Sequence, residues 1–189
     1  MEKSQGQKEP NRGRKSLQKA SSRQSRSIQK EIKNVKESKI GLSTTFLCSF
    51  LRKCPNFIGA FPQDKLENLF IRKLPVSLIV NLDLSNKSGT HWIALNVTEN
   101  SVEVWDSLAF PKSYLKKYGR YLLTFLKQFK TGRSFLTCHK LQPDFSHLCG
   151  FYCIFFLIYR QSHSFKECKL YFTDMSKNDD RLTTFLCSL

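Results

Sequence analysis

An uninterrupted apolar run in the second half of the chain restricts its fold more than any other feature. The run extends from Phe151 to Tyr159 and directly follows Cys149 and Gly150. A run of this length predicts a fully buried helix, so the other elements must pack around it. Cys149 would then open the helix, where free backbone N–H groups and the positive end of the helix dipole stabilise a thiolate.

Three further residues supply what a nucleophilic thiol needs. A thiol attacks a peptide carbonyl well only when an imidazole takes its proton, a third group orients the imidazole and donors hold the oxyanion. Segments 91–97 and 101–107 predict two strands of a hairpin, which places His91 beside Asp106. Gln142 precedes the thiol by seven residues, so a short loop can hold both around one carbonyl oxygen. We therefore predict as catalytic residues His91, Asp106, Gln142 and Cys149.

Two residues beside this set are expected to shape the substrate channel. Trp92 follows His91 and is predicted to pack over the catalytic pair. Gly150 has no Cβ and leaves room for a substrate backbone close to the thiol. A channel narrowed in this way admits glycine best, so Gly-rich cleavage sites are expected.

Other interpretations exist for the same residues. Taken one at a time, a histidine beside a tryptophan in a strand is usually a packed residue, and a buried cysteine behaves as a small hydrophobic side chain. A zinc site is an alternative, although no CxxC or HxxxH spacing is present. Its candidate ligands are Cys138, His139, His147, Cys149 and Cys153. The order, strand context and spacing of the four catalytic candidates all agree, which favours catalysis without a metal.

Composition predicts one folded domain behind a basic tail. The 189-residue chain is 40% hydrophobic and contains 16 phenylalanines, enough for one core. Residues 1–40 hold 12 Lys/Arg, 4 Asp/Glu and no aromatic residue, which predicts a disordered tail before a protease domain at 41–189. The tail lacks the apolar core of a signal peptide, and no apolar stretch is long enough to predict a membrane span. Seven cysteines in such a chain indicate free thiols in a reducing compartment, and we expect a monomer.

The remaining segments complete an α+β pattern. Helices are predicted at 45–54, from Pro62 to Lys73 and from Pro111 to Lys130, with one or two short helices between Phe165 and Cys187. Strands are predicted at 76–82 and 134–141.

The net charge of +16 makes a nucleic acid a candidate partner. The predicted amphipathic helix from Pro111 to Lys130 carries many cations beside its apolar side. The tentative nucleic-acid-binding residues are Lys112, Lys116, Lys117, Arg120 and Lys127. A solvated helix face explains the same pattern equally well.

These motifs resemble the adenovirus-type maturation protease family, adenain, with its relatives in adeno-like and Maverick/Polinton-type viruses and elements. The family carries a Gly-x-His-Trp segment, an acidic residue at the end of the next strand, and a glutamine seven residues before a Cys-Gly pair that opens an apolar helix. The matching residues here are Gly89-Thr90-His91-Trp92, Asp106, Gln142 and Cys149-Gly150. The stretch 56–61 is also similar to the family, and the resemblance covers residues 42–175. Aspartate stands where adenovirus enzymes usually have glutamate, as in the related SUMO-protease branch.

The resemblance implies a papain-like α+β fold, in which a central helix with the cysteine packs on a small mixed sheet that carries the histidine and the aspartate. It implies a cysteine endopeptidase that cleaves viral or element-encoded precursor proteins during particle maturation, in the virion and the host nucleus. The chemistry needs no cofactor, although the family uses DNA as an activator. The first alternative is an isopeptidase that removes SUMO or a ubiquitin-like modifier, since Trp105-Asp106-Ser107-Leu108 looks like a SUMO-protease segment. The second is a non-enzymatic nucleic-acid-binding protein.

Overall fold

A computed structural model describes residues 12–129 and 132–189 of the chain as an α+β fold, as predicted. Its helices are α1 (Arg12–Ser38), α2 (Thr44–Leu51), α3 (Lys112–Tyr118), α4 (Arg120–Leu126), α5 (Cys149–Tyr159), α6 (Phe165–Leu170) and α7 (Asn178–Cys187). A 3₁₀ helix spans Gln63–Asn68. The strands are β1 (Phe57–Pro62), β2 (Val76–Asn81), β3 (Trp92–Val97), β4 (Ser101–Trp105) and β5 (Arg133–Leu136).

The five strands form one mixed sheet in the order β1-β2-β3-β4-β5. The two outer pairs are parallel and the two inner pairs are antiparallel. Strands β3 and β4 form the predicted hairpin, in which Ala94 lies opposite Trp105. Because His91 directly precedes β3 and Asp106 directly follows β4, both residues lie at the same end of this hairpin.

Side chains that alternate along the central strands divide the core into two layers. Ile79 and Trp105 belong to the cluster that contains α5, whereas Leu78 and Leu95 belong to the cluster that contains α3 and α4. Helices therefore cover both faces of the sheet, and all of β2 is buried.

Helix α5 lies at the centre of the larger layer, as its apolar sequence predicts. Its residues from Cys149 through Leu157 are all buried. Trp105 of β4 stacks on Phe156 with a centroid distance of 4.9 Å and an interplanar angle of 5°. The predicted arrangement, a cysteine-bearing helix packed on a sheet whose hairpin carries histidine and aspartate, is confirmed.

Helix α1 is the largest departure from the sequence prediction. The sequence predicts a disordered tail through residue 40, but residues 12–38 form a helix. Ile28, Ile32 and Val35 occupy one helical face and are buried in the same cluster as α5 and α7. Disorder is therefore the wrong prediction for this helix, because three aliphatic residues at helical spacing anchor a segment whose average composition is polar. Residues 1–11 lie outside the described part of the chain.

Three smaller predictions are corrected, and one strand was missed. The helix predicted from Pro62 is a 3₁₀ helix that ends at Asn68. The long helix predicted after Pro111 is divided at Gly119, whose N–H caps the first piece by donating to the Leu115 carbonyl at 2.8 Å. Strand β1 was not predicted from its mixed sequence, and β5 ends five residues before the predicted 141. None of the described helices is long and apolar enough to cross a membrane.

Candidate active site

His91 and Asp106 form a buried pair at the end of the β3–β4 hairpin. His91 Nε2 lies 2.8 Å from Asp106 Oδ1, and the two side chains are only 4% and 1% exposed. The backbone N–H groups of Leu108 and Phe110 donate to the two carboxylate oxygens, each at 2.9 Å. The Phe110 ring also packs edge-on against the imidazole, with centroids 5.0 Å apart. The loop after β4 thus fixes the carboxylate, and the carboxylate fixes the imidazole ring.

Electrostatics at this pair favour a charged imidazolium and a charged carboxylate. Burial lowers the pKa of His91, but the hydrogen bond with Asp106, the neighbouring Cys149 and the charges of both groups outweigh burial and raise the pKa to about 9. Burial raises the pKa of Asp106, but the His91 ring and the two backbone N–H groups outweigh this effect and leave the pKa below its ordinary value. An imidazolium next to a cysteine is the partner that a thiolate requires.

The raised pKa of His91 predicts a loss of stability at alkaline pH. The native imidazole keeps its proton up to pH about 9, whereas the unfolded chain loses it near pH 6.5. The protonated His91 therefore stabilises the fold fully below about pH 6.5. This contribution to the free energy of unfolding, on the order of 3 kcal/mol, disappears as the pH rises to 9. Urea unfolding at pH 6, 7.5 and 9 would measure it, with His91→Gln as the reference. If the parent and His91→Gln lost the same free energy over this range, the imidazole would not hold the proton.

Cys149 is the first residue of α5, as predicted. The side chain is buried, and the residue is 4% exposed. Since Nε2 of His91 is bonded to Asp106, Nδ1 is the ring nitrogen left for the thiol, and this buried atom has no hydrogen-bond partner among the described residues. Among the described residues, the backbone N–H of Cys149 has no protein acceptor, because it precedes the first bonds of the helix. The thiol therefore lies between a base and a free backbone donor.

Gln142 lies in the loop between β5 and α5, where it is 2% exposed. Its Nε2 donates to the Ser146 carbonyl at 2.6 Å, and its Oε1 accepts from the Ser107 hydroxyl at 2.7 Å. An amide nitrogen carries two hydrogens, so one hydrogen of Nε2 remains for a developing oxyanion. This geometry suits the predicted oxyanion role of Gln142.

The two predicted channel residues contact the segment that follows α1. A Cβ added to Gly150 would lie 3.1 Å from the Leu42 side chain, so the space that glycine leaves is filled by Leu42. The Trp92 indole N–H donates to the Leu42 carbonyl at 2.9 Å, and Trp92 is 6% exposed. The roles of Trp92 and Gly150 toward a substrate stay predictions. In this structure, both residues hold Leu42 over the start of α5.

The five predicted nucleic-acid-binding residues do not share one helix, because Gly119 separates α3 from α4. Lys112, Lys116 and Lys117 belong to α3, Arg120 begins α4 and Lys127 caps it. All five are exposed. Lys117 and Arg120 lie over the rings of neighbouring tyrosines at 5.0 and 4.5 Å from the ring centroids. Their affinity for DNA stays a prediction.

The residues of the alternative zinc site lie in different environments. Cys138 is exposed, whereas Cys149 and Cys153 are buried along α5. Within residues 12–129 and 132–189, no three His, Cys, Asp or Glu side chains come together as a possible metal site.

Three residues that contribute to the site were not predicted from the sequence. Ser107 bonds Gln142, Phe110 packs on His91, and Leu42 covers Gly150. Only Ser107 carried a usable signal, because it directly follows Asp106 in the hairpin. The contacts of Phe110 and Leu42 depend on a loop conformation and on the docking of a distant segment, which residue spacing does not encode.

No protein-family model and no curated protein sequence matches this chain. Among solved structures, the crystal structure of the selenomethionine ASFV pS273R protease aligns over 79% of this chain and 68% of its own, with 18% sequence identity and a TM-score of 0.44. A similarity of this size carries no argument about function, which depends on the arrangement of His91, Asp106, Gln142 and Cys149.

Proposed function

We propose that the protein is a cysteine endopeptidase. The observation that carries the proposal is the buried His91–Asp106 pair, whose free ring nitrogen is next to a cysteine at a helix N-terminus. A thiol, an oriented imidazole and preplaced donors are the parts that nucleophilic peptide hydrolysis requires. No other cluster of described residues brings these parts together.

In the proposed mechanism, the proton of the Cys149 thiol already resides on His91 in the resting enzyme, and Asp106 stabilises this imidazolium. The thiolate attacks the carbonyl carbon of the scissile bond, which produces a tetrahedral oxyanion. The second Nε2 hydrogen of Gln142 and the backbone N–H of Cys149 hold that oxyanion. His91 then donates its proton to the leaving amine, and water, deprotonated by the same imidazole, hydrolyses the thioester and releases the thiol.

Burial of the site supports small residues at the scissile bond. Cys149 is 4% exposed and His91 is 3% exposed, so only a slender substrate strand can reach the thiol. Glycine offers the least bulk beside the reacting carbonyl. We propose Gly-rich cleavage sites in viral or element-encoded precursor proteins, with action during maturation in the nucleus and the virion. Activation by DNA is part of the same proposal and rests on the exposed cations of α3 and α4.

The alternative isopeptidase activity differs from this proposal in the substrate and not in the chemistry. Both activities would use the same thiol, and a flexible tail ending in Gly-Gly would enter the same narrow approach. Paired assays separate them, one with a SUMO-fused reporter and one with Gly-rich peptides that carry no folded modifier. If only the SUMO reporter were cleaved, the proposed endopeptidase activity would be wrong and the isopeptidase activity would be supported.

A peptide probe with a thiol-directed electrophile tests the proposed chemistry. A Gly-Gly peptide that ends in an α,β-unsaturated methyl ester should label Cys149 by addition of the thiolate to the double bond, because among the thiols of residues 12–129 and 132–189 only this one has an activating imidazole. Mass spectrometry of the digested protein would locate the adduct. Iodoacetamide provides the comparison, since a small reagent should modify the exposed Cys138 readily.

The His91→Gln variant makes this experiment decisive. Labelling of Cys149 by the peptide probe should nearly disappear in this variant, whereas modification of Cys138 by iodoacetamide should not change. Probe labelling at Cys138 alone, or labelling of Cys149 that does not depend on His91, would contradict the proposed function and favour a non-enzymatic protein.

A further inference from the structure

The orientation of the Gln142 side-chain amide is fixed by its two partners. The Ser146 carbonyl can only accept a hydrogen bond, so the atom 2.6 Å from it must be Nε2. Oε1 therefore faces Ser107, and because an amide oxygen only accepts, the Ser107 hydroxyl must donate. The Ser146 carbonyl thus selects one of the two possible orientations of the amide, and the Ser107 hydroxyl holds its oxygen in that orientation.

The backbone of the Gln142 loop is held independently of that hydroxyl. The Ser107 carbonyl accepts the N–H groups of Leu141 and Gln142 at 2.8 and 3.0 Å. From the other side, the Asn178 side-chain amide donates to the Leu141 carbonyl at 2.8 Å, and the Tyr152 hydroxyl approaches it at 3.3 Å. Loss of the Ser107 hydroxyl would therefore release the side-chain oxygen of Gln142 without releasing its loop.

We infer that Ser107 is a positioning residue for the oxyanion donor of Gln142, an inference that rests on the proposed function. With Oε1 held by Ser107, Nε2 is fixed at the other end of the amide, where one of its two hydrogens bonds Ser146 and the other is left for the substrate oxyanion. Ser107 is 1% exposed, so water does not compete for Oε1. Because Ser107 directly follows Asp106, the same turn orients the base and the oxyanion donor.

A double-mutant cycle of Ser107→Ala and Gln142→Ala tests this inference with a Gly-rich peptide substrate. Ser107→Ala should lower kcat about 10-fold with little change in KM, the size of effect expected from one neutral hydrogen bond. Gln142→Ala should lower kcat by ~10²–10³. The double variant should be no slower than Gln142→Ala alone, because the serine acts only through the glutamine.

Two further measurements exclude a general structural effect. Binding of a peptide aldehyde, whose adduct with the thiol carries an oxyanion, should weaken about 10-fold in Ser107→Ala. Alkylation of Cys149 by iodoacetamide forms no oxyanion and should keep its rate. Ser77→Ala, which removes another buried serine hydroxyl on β2, should leave kcat unchanged.

The possible outcomes are distinguishable. If Gln142→Ala retains full kcat, the oxyanion role in the proposed function fails, and the positioning role fails with it. If Gln142→Ala is slow but Ser107→Ala is not, or if the two losses multiply in the double variant, only the inference about Ser107 is overturned. Should Ser107→Ala not fold, Ser107→Gly also removes the donor, and a kcat equal to that of the parent would contradict the inference.

Discussion

Replacing Cys149 by serine is expected to abolish peptide hydrolysis and to preserve the fold. A serine hydroxyl is far less acidic than a thiol, so His91 cannot supply an equally reactive nucleophile. Loss of the nucleophile in triad enzymes lowers kcat by roughly 10⁴–10⁶, and we expect a loss in that range. Initial rates with a Gly-rich peptide measure the effect, and thermal unfolding should show a melting temperature within a few degrees of the parent.

Two other cysteines provide matched controls for this substitution. Cys153 lies one turn further along α5 and is as buried as Cys149, whereas Cys138 is exposed in the loop after β5. Cys138→Ser and Cys153→Ser should both keep more than half of the parental rate, because neither thiol interacts with His91. An active Cys149→Ser enzyme together with an inactive Cys153→Ser enzyme would show that the nucleophile has been assigned to the wrong residue.

The catalytic candidates could be predicted from the sequence because their positions depend on local signals. Cys149 begins an apolar run long enough for a buried helix, and its spacing from Gln142 and its order after the His91–Asp106 hairpin indicate chemistry together. His91 and Asp106 flank a short hairpin whose strand pairing brings its two ends together. The roles of these residues stay predictions, but their proximity required only secondary structure and one turn.

The surroundings of the site could not be predicted in the same way. Leu42 reaches Gly150 and Trp92 because α1 and α2 dock on the core, and such docking depends on distant contacts. The break at Gly119 could not be predicted for a different reason. The apolar residues keep their helical spacing through both α3 and α4, so the pattern indicates one continuous helix. A single glycine with an N–H bond to Leu115 determines where the first piece ends.

The basic segment before residue 40 shows why average composition did not predict the helix α1. Charged and polar residues dominate α1, which favours disorder when the segment is treated as a whole. Folding depends instead on a narrow stripe, and Ile28, Ile32 and Val35 provide one at helical spacing. The Ser25 hydroxyl adds a hydrogen bond of 3.0 Å to the Cys187 carbonyl at the end of α7. The segment therefore combines a polar exterior with a buried anchor.

Deleting residues 1–40 is consequently expected to destabilise the whole domain. Each fully buried aliphatic side chain stabilises the fold by about 1.5–3 kcal/mol, and the entropy of ordering the helix offsets part of the total. A net loss of roughly 3–6 kcal/mol corresponds to a decrease of about 10–20 °C in melting temperature for a domain of this size. Calorimetry or circular dichroism would measure it, and deletion of residues 1–11 serves as the first control.

Two triple substitutions within α1 test whether its buried aliphatic side chains, rather than its charge or its length, stabilise the domain. Changing Ile28, Ile32 and Val35 together to alanine removes only buried methyl and methylene groups and should reproduce most of the effect of the deletion. The matched control changes three exposed residues of the same helix, Gln29, Lys30 and Lys36, to alanine. This variant should shift the melting temperature by no more than a few degrees. If both triple variants melted like the parent, α1 would not be part of the folded domain. Since α1 leads directly to the segment in which Leu42 covers Gly150, its docking also affects how that segment approaches α5.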